Sequence, residues 1–167
     1  MIRLFLLKIL FLGFAATVFG QDVKNAVYLK ITSADSVIIV SHLTTYVPFM
    51  DEETDKRDVV YKLVDNNKPN YKIIKERYSL NTIEVDSLSK ILTTKNTDTK
   101  IVSTECFMPH HGVLIFKKGK CSYFDICFGC RHFRTSADIK LSDELNDKTW
   151  TDLESFFRNR GLNYEMP

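Results

Sequence analysis

The chain has 167 residues, 44 % of them hydrophobic and 26 % charged, with a formal net charge of +2. That is one domain's worth of chain, enough to bury a proper core. There are no repeats, low-complexity segments or long basic runs, so nucleic acid and anionic membranes are poor candidates as partners.

Residues 1–20 read as an export signal. Arg3 and Lys8 are the only charges, Ile9 to Phe19 is apolar, and Val18, Phe19 and Gly20 precede Gln21 in the manner of a cleavage site. The run is short of the roughly 20 apolar residues a bilayer span needs; an uncleaved N-terminal anchor is the alternative. No cysteine near the cut offers a lipid attachment point. The expectation is an exported protein, periplasmic or secreted, not lipid-anchored, with no membrane span in the mature chain of residues 21–167. Losing Arg3 and Lys8 takes Lys+Arg from 23 to equality with the 21 Asp+Glu, so the mature chain is formally neutral.

Ala26 to Thr32 and Ser36 to Leu43 are apolar and rich in β-branched residues, and they predict two strands joined by a turn at Ser33, Ala34 and Asp35. Asp51 to Asp58 is almost wholly charged and predicts a loop. Val59 to Val64 and Tyr71 to Arg77 predict a further strand pair around the turn-rich Asp65 to Asn70. Asn81 and Glu84 have capping-box spacing, and Val85, Leu88, Ile91 and Leu92 follow as a helical stripe, which predicts a helix over about 82–93. Thr94 to Lys100 carries no pattern and predicts a loop. Ile101 to Phe116 and Cys121 to Cys127 predict a hairpin with Lys118 and Gly119 at its tip. Trp150, Leu153, Phe156 and Phe157, stopped by Gly161, predict a helix over about 148–160. The sum is a single α+β domain over residues 21–167: an antiparallel sheet of hairpins with two covering helices.

All four cysteines and three of the four histidines lie between Cys106 and His132. A symmetrical hairpin places Leu114 opposite Tyr123, His110 opposite Cys127 and Cys106 opposite Arg131. Alternation then sets Cys106, His110, Cys121 and Cys127 on one face and His111 on the other. Three chemistries suit this cluster. In an oxidising compartment a disulfide from Cys106 to Cys127 or Cys130 closes a loop of about 25 residues and contributes about 3–4 kcal/mol. A metal such as zinc would take Cys106, His110, Cys127 and Cys130, although Cys106 and His110 lie about 13 Å apart on a straight strand. Thiol–disulfide redox chemistry would use Cys127 and Cys130, but no helical stripe follows that pair. The spacing does not suit covalent haem attachment, because Arg131 rather than His follows Cys130. His42 reads as a core histidine. The loop carboxylates Asp51, Glu52, Glu53 and Asp55 lack a calcium-loop pattern, and no hydrolase or phosphate-loop motif is present.

The string from Cys106 through Pro109 to Gly112, the Gly119 turn, and Asp125, Ile126, Cys127, Phe128, Gly129 and Cys130 resembles a group of small, often exported bacterial proteins with a Cys-x-x-Pro and an Ile-Cys-Phe-x-Cys motif. The resemblance covers roughly Tyr71 to Leu162. It brings no function, but it implies that Cys106, Cys127 and Cys130 act together and leaves Cys121 as a free thiol. The chain departs from the group at His110, where Arg is usual, which weakens a shared ligand role for that histidine. The expectation is a non-enzymatic binding or structural domain with a disulfide-stapled cysteine cluster. A thiol redox protein using Cys127 and Cys130, and a metal-binding protein, are the alternatives.

Overall fold

The computed structural model describes residues 23–45, 61–94, 107–141 and 145–167. In chain order the elements are helix α1 (residues 23–32), then strands β1 (Ser36–His42), β2 (Val64–Asp65), β3 (Lys68–Pro69) and β4 (Ile74–Ser79). Helix α2 (Thr82–Thr93), strands β5 (His111–Lys117), β6 (Lys120–Cys127) and β7 (His132–Thr135), and helix α3 (Asp147–Arg158) follow. Five strands form one antiparallel sheet in the order β4-β1-β5-β6-β7, and β2 and β3 form a small hairpin of their own. This is an α+β fold with helices packed on one face of the sheet.

The expected strand at Ala26 to Thr32 is a helix. Its buried residues, Val27 and Ile31, are four apart and enter the main core, while Leu29 between them is exposed. One face repeating at helical spacing outweighs the β-branched content, because local propensity is a weak prior against tertiary burial. Tyr28 donates to Asp86 Oδ1 at 2.7 Å, tying α1 to α2. Among the described residues three helices, not two, therefore cover the sheet.

The partner of Tyr71 to Arg77 also differs. The turn-rich segment folds on itself as the β2–β3 hairpin, with Asn66 and Asn67 both at positive φ as a tight two-residue turn requires. That leaves β4 free to pair with β1, from Ile38 opposite Ser79 to His42 opposite Ile74. Val59 and Val60 of the expected first arm lie outside the described residues, as do the loops expected at 51–58 and 95–100.

The two expected helices form. Asn81 Oδ1 accepts from Glu84 N at 3.0 Å and Glu84 Oε2 accepts from Asn81 N at 2.9 Å, completing the capping box of α2. In α3 the buried stripe is Trp150, Leu153, Phe156 and Phe157. Gly161 stands at φ +80° beyond it, and Leu162 N reaches Phe157 O at 3.3 Å, the six-to-one bond of a glycine-terminated helix.

The β5–β6 hairpin keeps the expected register, Leu114 opposite Tyr123, with Lys118 and Gly119 at positive φ in the turn. Its ladder starts at His111, so the first arm is shorter than expected. The sheet face under the helices carries Val113, Ile115, Phe124 and Ile126. The opposite face carries Val40, Leu114 and Cys121, covered by Leu63 and Val64 from the β2–β3 region. Among the described residues no helix is long and apolar enough to cross a membrane.

Candidate functional site

The chemically rich residues gather at one end of the sheet, where β6 turns into β7. Cys127 ends β6, and Phe128 to Arg131 make the turn, with Arg131 N bonded to Phe128 O at 3.2 Å and Arg131 itself at φ +51°. Phe128 drives inward: its ring meets Phe157 at 5.3 Å and Trp150 at 6.3 Å between centroids. With Phe128 fixed in the helix-side core, Cys127 and Cys130 are left on the other side of the turn. There they form a disulfide, with Cα atoms 5.3 Å apart, packed against Phe107.

This bond differs from the bridge to Cys106 that the hairpin geometry suggested. Cys127 and Cys130 are bonded to each other across a separation of three, and Cys106 lies outside the described residues. The expected long loop is not what this bond closes. A ring this small constrains the unfolded chain less, about 2 kcal/mol in the chain-entropy treatment against the 3–4 expected of a cross-hairpin bridge. What it fixes is the turn. The backbone N–H of Cys130 donates to Cys127 Sγ at 3.2 Å, which places positive partial charge on that sulfur. Arg131 Nη1 anchors the turn to the start of α3 through Asp147 Oδ1 at 2.5 Å.

Both disulfide cysteines line a cleft of about 220 Å³ together with Met108, His110, His111 and Glu165. His110 lies one residue before the paired residues of β5, with its N–H donating to Ile126 O at 3.2 Å, and on the other edge of β6 Cys127 pairs with His132 of β7. His110 Nδ1 sits 3.2 Å from the carbonyl oxygen of His42. As expected of adjacent residues, His111 faces the opposite way and enters the helix-side core, in T-shaped contact with Phe128 at 5.0 Å and Phe157 at 5.8 Å. Its Nε2 is buried without a hydrogen-bond partner. Burial, helped by repulsion from His42 and His110, pushes its pKa down to about 3. His111 is thus a neutral imidazole at physiological pH and far too weak a base to deprotonate a thiol of ordinary pKa near 8.5.

Cys121 shares the outer face with Cys127 but packs in a separate cluster with Val40, Leu63 and Leu114. It is free and buried, and desolvation pushes its thiol up to about 11, so it is protonated and inert. Among the described residues no three His, Cys, Asp or Glu side chains converge as metal ligands. The expected ligands His110, Cys127 and Cys130 do line one cleft, but the two sulfurs are spent on their mutual bond, and Cys106 falls outside the described residues.

His42 is the buried core histidine that the sequence suggested, but sequence reasoning passed over its partner, Asp125. His42, fully buried at the end of β1, places Nε2 3.2 Å from Asp125 Oδ1, while Thr45 Oγ1 donates to Asp125 Oδ2 at 2.6 Å. Burial lowers the His42 pKa, but Asp125 more than offsets it and the net shift is upward. The one signal available was a polar residue set among apolar neighbours on each strand, His42 on β1 and Asp125 on β6. Their meeting needs β5 between them, where Gly112 pairs with both Val40 and Asp125 and has no side chain to intervene. Compared with known proteins, the chain matches no described family, no curated protein and no solved structure.

Proposed function

We propose that this is an exported, non-enzymatic binding or structural domain in which the Cys127–Cys130 disulfide is part of the framework. The observation that carries the reading is the setting of the two sulfurs. Each cysteine is 4 % exposed, sits under Phe107, and belongs to a strand–turn–strand unit whose central Phe128 is locked into the core. A reactive cysteine pair works best at a helix N-terminus and open to solvent. Here β7, not a helix, follows the pair, and His111, the buried histidine that lines the same cleft, is no base. The export reading rests on residues 1–20, and a disulfide is the expected state of cysteines outside the cytoplasm.

A thiol redox role is the second reading. It is favoured by the Cys130 N–H that would stabilise a Cys127 thiolate, and by the cleft at which both sulfurs lie.

Intact mass of the secreted protein, alkylated before and after treatment with glutathione, separates the two. The framework reading expects a Cys127–Cys130 linkage that is reduced far more slowly in the folded protein than in the unfolded one. Rapid reduction with the fold retained would replace it by the redox reading, and a linkage from Cys106 to either residue would overturn the pairing itself.

A further inference from the structure

Residues 163–167 cross the end of the sheet from the edge strand β4 to the disulfide. The crossing is anchored at its start by one carboxylate. Glu76 Oε2, half-buried on β4, accepts from Asn163 N at 2.8 Å, Tyr164 N at 3.0 Å and the Ser41 hydroxyl at 2.7 Å. Ser41 is itself fully buried and is the β1 partner of Glu76, so the anchor is built into the sheet. Further along, the Tyr164 ring meets His110 edge-on at 6.1 Å. Glu165 then takes φ +50°, a left-handed turn that a non-glycine residue seldom adopts, and Met166 packs against the main core. Glu165 and Pro167 form one wall of the cleft that Cys127 and Cys130 line, and Arg158 Nη2 donates to the Pro167 carbonyl oxygen.

We propose that residues 163–167 are a strap that closes the cleft over the Cys127–Cys130 disulfide, and that the Glu76 anchor sets the access of small thiols to it. This rests on the reading of the disulfide as a framework bond and adds what shields it. Three hydrogen bonds to one charged acceptor make a single strong point of attachment. The rest of the strap is held by Met166, one ring contact and one exposed arginine, so it is the low-stability part of the site. When the strap lifts, a thiolate of a small molecule such as glutathione can attack Cys130 Sγ. The Cys127–Cys130 bond breaks, a bond from Cys130 to the small molecule forms, and Cys127 Sγ leaves as the thiolate that the Cys130 N–H supports. A second thiolate then displaces Cys130 Sγ, giving two cysteine thiols after protonation and one molecule of oxidised glutathione.

The test is the rate of reduction by glutathione, read by alkylation and intact mass, in the wild-type chain, Glu76→Ala, Glu76→Gln and Arg158→Ala. Amide exchange at Asn163 and Tyr164 reports whether the strap is attached. Glu76→Ala is expected to free those amides and raise the reduction rate at least tenfold, whereas Glu76→Gln keeps a carbonyl acceptor and stays near wild type. Freed amides with an unchanged rate would overturn the strap. If Glu76→Ala fails to fold, Arg158→Ala decides: it releases the far end without touching the sheet, and a rate equal to wild type with that end released overturns the proposal. Wild-type protein reduced as fast as its unfolded form would instead sink the framework reading, so the two failures are distinct.

Discussion

His111 shows what one buried side chain does to the behaviour of the whole chain with pH. Its pKa is about 3 in the fold against 6.5 as a model value. A depressed value means the unfolded state takes the proton first as acid is added. The stability that goes with neutral His111 is therefore complete above 6.5 and is lost as the pH falls toward 3, at about 1.4 kcal/mol per pH unit. His42 has the opposite sign: its raised pKa gives stability that is complete below 6.5 and lost as the pH rises through the folded value. Urea midpoints measured roughly between pH 6.5 and pH 5 should fall in the wild type and stay level in His111→Phe, which keeps a ring between Phe128 and Phe157. A parallel fall in both proteins would assign the loss to other groups. The sequence showed that His110 and His111 point opposite ways, because alternation is local. Which of the two is buried depends on Phe157, supplied by α3.

At the scale of elements, the features written in short-range chemistry were legible. The capping box at Asn81 and Glu84, the Lys118–Gly119 turn and the Gly161 stop each involve residues a few positions apart, and each formed. The α1 helix was not legible, since Val27, Tyr28, Ile31 and Thr32 favour a strand and only burial of Val27 and Ile31 on the sheet decides for a helix. Gly112 is a further constraint that only packing reveals. A Cβ there would stand 2.7 Å from Leu63 Cδ2 and 2.9 Å from the Phe124 carbonyl oxygen. Leu63 can move, but the oxygen belongs to the β6 ladder and cannot. Gly112→Ala should therefore cost about 1–3 kcal/mol by equilibrium denaturation, with the hairpin strained or the β2–β3 cover displaced. A change under half a kcal/mol would show that the sheet yields there after all.

At the scale of the molecule, the sheet is closed on both faces by segments distant in sequence. Helix α1 belongs to the main core as fully as α2 and α3: Ile31 has no exposed surface and shares a cluster with Leu88, Phe124 and Leu153. Lys30 adds an ion pair to Asp138 at 2.7 Å, in the loop after β7. Ile31→Ala should then cost about 2–5 kcal/mol, like other large-to-small changes in a core. Leu29→Ala, two residues earlier and 62 % exposed, should cost almost nothing. Equal effects at the two positions would mean that α1 is not docked as a helix. The same reach across the sequence builds the cleft, which takes its walls from the start of β5, the β6–β7 turn and residues 163–167.

By itself the sequence determined the α+β class, the two capped helices, the register of the β5–β6 hairpin and the segment in which cysteine chemistry would be found. Those depend on periodicity, caps and turns, which act over a few residues. Tertiary structure alone decided that α1 is a helix, that β4 pairs with β1, and that Cys127 bonds to Cys130 inside a turn. It also joined His42 to Asp125 and brought Glu165 and Pro167 to the cleft that Cys127 and Cys130 line. Each of those depends on which buried surfaces and unpaired polar groups meet after the chain has folded back on itself, and no local pattern records that.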